Sequence, residues 1–164
     1  MLPGAPERWI EVPDGHPGSW MTLAYMAALA TAPSPRLDAV AAAWGAAPPR
    51  TIFEWVRAHM LYVPDFNNGA VIEEIQTPGH TLDEIGRFGR ALGDCDDYVV
   101  LLASLFWRRG HRVVLVAISR HADQLLDHVY LTVDGAPADG IVPEPFGWEV
   151  PEAEVTYRMD YPLP

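Results

Sequence analysis

The strongest constraint on the fold is a polar segment that runs directly into a long apolar one. Residues 93–97 read Gly-Asp-Cys-Asp-Asp, and residues 98–106 are apolar except for Ser104. Within the apolar run, large side chains recur at helical spacing, Asp94 is suited to an N-cap, and Arg108-Arg109-Gly110 is typical of a C-terminal turn. The sequence therefore predicts a helix whose first turn carries Cys95, the only cysteine of the chain.

A thiol in the first turn of a helix is a candidate nucleophile. The first backbone N–H groups of a helix are unpaired, and the helix dipole adds positive potential, so a thiolate is favoured there. The neighbouring carboxylates of Asp94, Asp96 and Asp97 oppose this by like-charge repulsion, so a nearby imidazolium would be needed to hold the thiolate. The alternative is a free cysteine that packs as a small apolar side chain, which is the commoner fate of free cysteines.

Length, charge and cysteine content limit the number of domains and the classes of molecule that the chain could bind. The chain has 164 residues, which predicts a single domain over residues 1–164. Its net charge is −11, and all 11 basic residues are arginine, so neither nucleic acid nor an anionic membrane is an expected partner. One cysteine allows no intramolecular disulfide and no multi-cysteine metal site. Residues 21–32 are apolar but too short to span a bilayer, and we expect a cytoplasmic protein, or a virion component if the chain is a phage protein.

Helix signals come before strand signals along the chain. Residues 1–18 and 150–164 are predicted to be extended, proline-rich surface arms. Ser19 is a potential cap for a helix to about Thr31, and Ser34-Pro35 for a second helix to about Trp44. Capping boxes at Thr51-x-x-Glu54 and Thr81-x-x-Glu84 predict two further helices, the first ending near Met60.

The region between these two helices and the region after the cysteine helix are predicted to be extended. Residues 61–75 look irregular, with turn signals at Pro64-Asp65 and at residues 67–69. Residues 112–119 and 128–133 are rich in β-branched residues and predict strands. Helices followed by strands indicate an α+β domain with an antiparallel sheet.

A nucleophilic cysteine needs an imidazole, and the imidazole needs a third group to orient it. Of the six histidines, His128 opens a predicted strand, whereas the others are most simply surface residues. Asp134-Gly135 is typical of a two-residue type I′ hairpin, which pairs Tyr130 with Asp139. Asp139 is then the diagonal neighbour of His128, at roughly 7–8 Å and on the same face.

Other interpretations of His128 remain open at this point. His128 and Asp139 could be an ordinary surface pair on an edge hairpin. Asp127 is a rival orienting group, although adjacent strand residues point to opposite faces. A metal site formed by His121, Asp123 and His128 is less favoured because a loop supplies no fixed ligand geometry. We predict neither a metal nor a cofactor.

Taken together, these segments resemble the bacterial and phage branch of the transglutaminase-like superfamily, whose core is related to papain-like cysteine proteases. The resemblance covers about residues 50–150 and is carried by Val56-Arg57, Tyr62-Val63-Pro64-Asp65, Ile75-Gln76-Thr77-Pro78 with Thr81-Leu82, Gly93-Asp94-Cys95-Asp96-Asp97 with Leu101-Leu102-Ala103, Gly110-His111-Arg112-Val113, His128-Val129-Tyr130-Leu131, Asp139 and Pro145-Phe146-Gly147-Trp148-Glu149.

The resemblance implies a papain-like core in which the nucleophile helix packs on an antiparallel sheet. It also implies a catalytic triad of Cys95 as nucleophile, His128 as base and then acid, and Asp139 as the orienting group. The oxyanion hole would use the Cys95 backbone N–H and a second donor, for which we name Gln76. The chain departs from the family at Gly140, which stands where a proline is customary.

The chemistry implied by the resemblance is acyl transfer from a peptide or isopeptide amide through a thioester, with water or an amine as acceptor. Asp96 stands where the crosslinking enzymes of the superfamily have a tryptophan, which favours hydrolysis. The alternative is a structural or docking module with little turnover, for instance in a phage particle, whose terminal arms bind neighbouring subunits. The expected partners are therefore a peptide or protein substrate or, in the alternative, other subunits of an assembly.

Overall fold

The computed structural model describes residues 9–12, 20–64, 73–124 and 126–164. Helices precede the main sheet along the chain, which confirms the α+β class. The helices are α1 (Trp20–Thr31), α2 (Pro35–Ala43), α3 (Pro49–His59), α4 (Pro78–Phe88) and α5 (Cys95–Arg108). The strands are β1 (Trp9–Val12), β2 (Met60–Tyr62), β3 (Glu73–Gln76), β4 (Ala91–Gly93), β5 (Val113–Ser119), β6 (His128–Val133), β7 (Ala136–Ala138) and β8 (Tyr157–Pro162).

Prolines set the starts of three helices. Ser34 caps α2 as predicted, because its hydroxyl accepts a hydrogen bond from the backbone N–H of Leu37 at 3.3 Å. The boxes predicted at Thr51 and Thr81 are wrong as helix starts, because α3 begins at Pro49 and α4 at Pro78. A proline in the first turn needs no N–H partner and has a helical φ, so it starts each helix earlier than the box residues would.

Helix α5 lies at the centre of the molecule. Every residue from Cys95 to Phe106 is buried, and α5 contacts each of the other four helices. A helix buried around its whole circumference needs no polar face, which explains the nearly unbroken apolar run in the sequence. The predicted start is confirmed, with Asp94 as the N-cap and Asp97 completing a capping box.

The main sheet has four antiparallel strands in the order β7-β6-β5-β8. Residues 150–164 are predicted from the sequence to form a surface arm. This prediction is wrong for the last part of the segment, which is an edge strand of the sheet. Strand β8 pairs with β5 over six positions, from Val114↔Pro162 to Ser119↔Tyr157. Backbone pairing therefore holds this segment against the sheet.

Two smaller strand pairs lie outside the main sheet. Within the predicted N-terminal arm, β1 pairs antiparallel with β3, and the rest of residues 1–18 lies outside the described residues. Strand β2 pairs parallel with β4, so part of the irregular region predicted over residues 61–75 is regular strand. The turn signal at residues 67–69 and Asp65 of the Pro64-Asp65 signal fall outside the described residues.

The main sheet buries side chains on both faces. On β6, Val129, Leu131 and Val133 belong to the large core that also contains α5. Tyr130 lies on the other face, in a smaller cluster with Val116, Ile118 and Val150. Among the described residues the longest helix has 14 residues, and none combines the length and apolar character needed to span a bilayer.

Candidate functional site

The hairpin of β6 and β7 has the predicted turn and register. Asp134 and Gly135 have φ values of 51° and 86°, as a type I′ turn requires at both central residues. Pairing runs from Val133↔Ala136 to Leu131↔Ala138, where the ladder ends. The further pair expected between Tyr130 and Asp139 is not part of this ladder, because the chain leaves the strand after Ala138.

His128 and Asp139 nevertheless meet, as the predicted hairpin geometry requires. Nε2 of His128 lies 2.6 Å from Oδ2 of Asp139, and their side chains are only 5% and 4% exposed. The other carboxylate oxygen accepts a hydrogen bond from the Ile141 backbone N–H at 3.3 Å. A carboxylate at Nε2 favours the tautomer with its proton on that nitrogen, which leaves Nδ1 as the basic atom of the ring.

The structure does not support the two other arrangements considered for His128, in which Asp127 orients the ring or His121, Asp123 and His128 bind a metal. The Asp127 carboxylate lies 3.1 Å from Nε2 of His121 and 3.6 Å from a guanidinium nitrogen of Arg120. Both partners belong to the loop before β6, so Asp127 binds that loop. His121, Asp123 and His128 do not form a group with metal-ligand spacing among the described residues. Asp139 is therefore the carboxylate that binds His128.

The first turn of α5 lies against the segment that follows β7. A Cβ atom added at Gly140 would come within 2.5 Å of the Tyr98 ring. Cys95 and Tyr98 are three residues apart on a helix, so their side chains lie on the same side of α5. The Tyr98 hydroxyl donates a hydrogen bond to the carbonyl of Met60, which fixes the ring between the hairpin end and β2. Glycine at position 140 is thus required by packing.

Three carboxyl groups surround the start of α5. Those of Asp94, Asp96 and Asp97 lie within 4.8 Å of one another. Asp97 accepts hydrogen bonds from the backbone N–H groups of Gln76 at 2.7 Å and Asp94 at 3.2 Å, and Asp94 accepts one from the Asp96 N–H at 3.2 Å. These bonds hold two of the three carboxylates in place.

Asp96 differs from its two neighbours. It is 1% exposed, and neither of its carboxyl oxygens accepts a hydrogen bond from a described donor. Burial and, after it, the charges of Asp94 and Asp97 raise the pKa of Asp96 well above its ordinary value. Burial therefore favours the neutral form of the Asp96 carboxyl group, which reduces the negative charge beside the Cys95 thiol.

Gln76, predicted as an oxyanion-hole donor, lies beside the segment that leads to Cys95. Its backbone N–H binds Asp97, and its side-chain amide donates to the carbonyl of Leu92 at 2.7 Å. Its side-chain oxygen lies 3.4 Å from the Thr81 hydroxyl. One amide N–H is thus engaged with β4, and the role of Gln76 in an oxyanion hole stays a prediction.

Sequence analysis missed the polar partners of Tyr130, which lies on the same face of β6 as His128. The Tyr130 ring stacks on His128 with centroids 6.0 Å apart, and its hydroxyl donates to Oε1 of Glu149 at 2.6 Å. Arg158 on β8 binds the same oxygen at 2.8 Å. The signal available in the sequence was the alternation of His128 and Tyr130 on one strand, whereas the long-range partners have no local signature. Comparisons with protein-family models, curated proteins and solved structures found no match for this chain.

Proposed function

We propose that the protein is a cysteine-dependent hydrolase or acyltransferase that acts on peptide or isopeptide amides. The observation that carries the proposal is the buried 2.6 Å contact between His128 and Asp139, located where the hairpin end packs against the first turn of α5. A buried imidazole that a carboxylate orients is the kind of base that activates a thiol, and Gly140, the residue after Asp139, contacts the first turn of the helix that begins with Cys95. The proposed core is papain-like and transglutaminase-like.

In the proposed reaction, Nδ1 of His128 takes the proton of the Cys95 thiol, and the sulfur attacks the amide carbonyl carbon. The carbon–nitrogen bond breaks, the amine leaves with the proton held by His128, and an acyl thioester remains on Cys95. Water or an amine then attacks the thioester, and the thiol is regenerated. Asp139 orients the ring and stabilises its protonated form, while backbone N–H groups at the start of α5 stabilise the oxyanion.

The test is the pH dependence of Cys95 alkylation by iodoacetamide, followed by intact mass. A free thiol has a pKa of about 8.5, so rapid alkylation below about pH 7 indicates a thiolate held by an imidazolium. We expect rapid reaction in the wild type and a rate at least about tenfold lower at pH 6.5 in His128→Ala and Asp139→Asn, because a thiol with the ordinary pKa of about 8.5 is only about 1% thiolate at that pH.

His111→Ala is the matched control. His111 also contacts an aspartate, Asp134, at 2.7 Å, but this pair lies at the exposed turn of the hairpin. The control should keep the wild-type profile. Ordinary thiol behaviour in the wild type and all three variants would contradict the proposal.

The alternative is a structural or docking module with little turnover. One observation favours it: strand alternation directs His128 to the face that carries Tyr130, away from Val129 and Leu131, which pack with α5. Ordinary thiol behaviour together with co-sedimentation of the protein with a large assembly would support the module. Amine transfer would instead be shown by incorporation of a labelled primary amine into a glutamine-containing peptide.

A further inference from the structure

The outer face of the β2–β4 pair carries three exposed apolar side chains. Leu61 and Leu92 are direct partners in the parallel ladder and are 49% and 48% exposed. Val63 follows Leu61 by two residues, so it lies on the same side, and it is 38% exposed. We call Leu61, Val63 and Leu92 the apolar row.

The opposite face of the same pair is buried where the ladder begins. Met60 and Ala91, the first partners in the ladder, are 6% and 0% exposed and belong to the core. Tyr62, which strand alternation places on the same face as Met60, is 46% exposed, so only the start of this face is closed. Apolar side chains that are grouped on a surface are typical of a site that binds another molecule.

The apolar row is joined directly to the proposed nucleophile. Strand β4 ends at Gly93, Asp94 caps α5, and Cys95 follows, so Leu92 lies three residues before the thiol. At about 3.3 Å per extended residue, this separation is at most roughly 10 Å between Cα atoms. The backbone N–H of Val63 donates to the carbonyl of Gly93 at 2.9 Å, which holds the row against the same segment.

The size and charge of the row restrict its occupant. Three side chains cover far less than the roughly 800 Å² per partner of a stable protein interface, so a second folded protein is not the expected occupant. None of the three carries a charge, and the Glu84 carboxylate lies 3.4 Å from the Leu92 backbone nitrogen. The chain as a whole carries a net charge of −11. These features favour an apolar side chain and disfavour an acidic one.

We propose that the apolar row binds an apolar side chain of an extended peptide, one or two residues from the amide at which Cys95 acts. This inference rests on the proposed function, because it assigns the substrate class of that same site. Leu61 and Leu92 would determine specificity by covering the side chain from two strands, and Val63, which is held beside Gly93, would extend the surface towards the start of α5.

The test uses three peptidyl chloromethyl ketones, acetyl-Gly-Leu, acetyl-Gly-Gly and acetyl-Gly-Glu. Each alkylates a thiolate with formation of a sulfur–carbon bond and loss of chloride, so no turnover is required. Second-order rates of Cys95 labelling are measured by intact mass. Burial of a leucine side chain should make the leucine reagent about tenfold or more faster than the glycine reagent. The glutamate reagent should be the slowest of the three.

Substitutions in the apolar row test whether it causes the preference for the leucine reagent. Leu92→Gln and Leu61→Gln should reduce the leucine-to-glycine rate ratio towards one, and Val63→Thr, which keeps the shape of valine, should reduce it less. Met21→Gln is the control, because Met21 is 51% exposed on α1, outside the row, and it should keep the wild-type ratio.

The two hypotheses fail in different ways. The leucine and glycine reagents could react at equal rates in a protein whose Cys95 reacts rapidly with iodoacetamide below about pH 7. This result would contradict the proposed binding of an apolar side chain by the apolar row, but not the proposed function. An unchanged ratio in Leu61→Gln and Leu92→Gln would also overturn the proposed binding. Ordinary thiol behaviour towards iodoacetamide would instead contradict the proposed function.

Discussion

Asp139 is held at both ends of its carboxylate, by the His128 ring on one oxygen and by the Ile141 backbone on the other. This contact could be predicted because an Asp-Gly turn fixes the register of the whole hairpin. The roles of Asp96 and Gln76 could not be predicted in the same way. Burial of Asp96 and the bonds of Gln76 to Asp97 and Leu92 depend on segments that are distant in sequence.

At the level of single residues, we predict that Asp96→Asn stabilises the protein at neutral pH. The pKa of Asp96 is raised in the folded state, so the unfolded chain releases this proton at a lower pH than the folded chain does. The stability linked to this group is full below about pH 4 and falls as the pH rises towards the folded-state pKa. Asparagine has no proton to release and removes this loss.

Urea unfolding between pH 4 and pH 7.5 measures the effect. We expect Asp96→Asn to gain stability relative to the wild type as the pH rises through this range, because only the wild type has a raised pKa to lose stability through. Asp83→Asn is the control, because Asp83 is an exposed partner of Arg36 and should change stability little at any pH. A constant difference between Asp96→Asn and the wild type across the range would contradict the prediction.

At the level of elements, agreement between sequence and structure is best where a local signal is strong. Ser34 and Asp94 start their helices as predicted, because a capping side chain bonds the backbone next to it. Thr51 and Thr81 fail because a proline upstream starts each helix earlier. The position of β8 could not be predicted, since its pairing with β5 spans a long chain separation that leaves no local pattern.

The contact between the hairpin end and α5 leads to a second prediction. Gly140→Ala should destabilise the protein by about 1–3 kcal/mol, because the new methyl group would overlap the Tyr98 ring, which its bond to Met60 prevents from moving aside. Gly86→Ala in α4 is the matched control. A Cβ atom there meets nothing within 4 Å, and alanine favours helix, so it should be neutral or stabilising.

Chemical denaturation of both glycine variants checks this prediction. An unfolding midpoint for Gly140→Ala at or above that of the wild type would show that the hairpin end does not press on Tyr98. Cys95 alkylation of the folded variant adds a second measurement, because the same overlap should also change the rate at which the thiol reacts.

At the level of the whole molecule, β8 completes the sheet. Beyond its six ladder positions, the Leu163 backbone N–H donates to the carbonyl of Val113 at 3.0 Å, and the Trp107 indole donates to the carbonyl of Pro164 at 2.8 Å. Without residues 157–164, β5 would become an exposed edge strand made almost wholly of apolar residues, which is a template for aggregation.

We therefore predict that truncation after Thr156 lowers the thermal midpoint and the soluble fraction of the protein. Differential scanning fluorimetry and the yield after centrifugation measure the two effects. Tyr157→Ser in the full-length chain is the control, because Tyr157 is 41% exposed and its pairing with β5 uses only the backbone. A truncated chain with an unchanged midpoint would indicate that this segment is a dispensable arm.

The central position of α5 also governs how the Cys95 sulfur is protected. Since α5 contacts every other helix and the main sheet, its amide hydrogens should exchange with solvent only when the whole molecule opens. The sulfur lies at one end of this slowest-exchanging unit. Reagents reach the folded thiol through its small exposed area, so any damage that needs more of Cys95 uncovered should follow the stability of the entire fold.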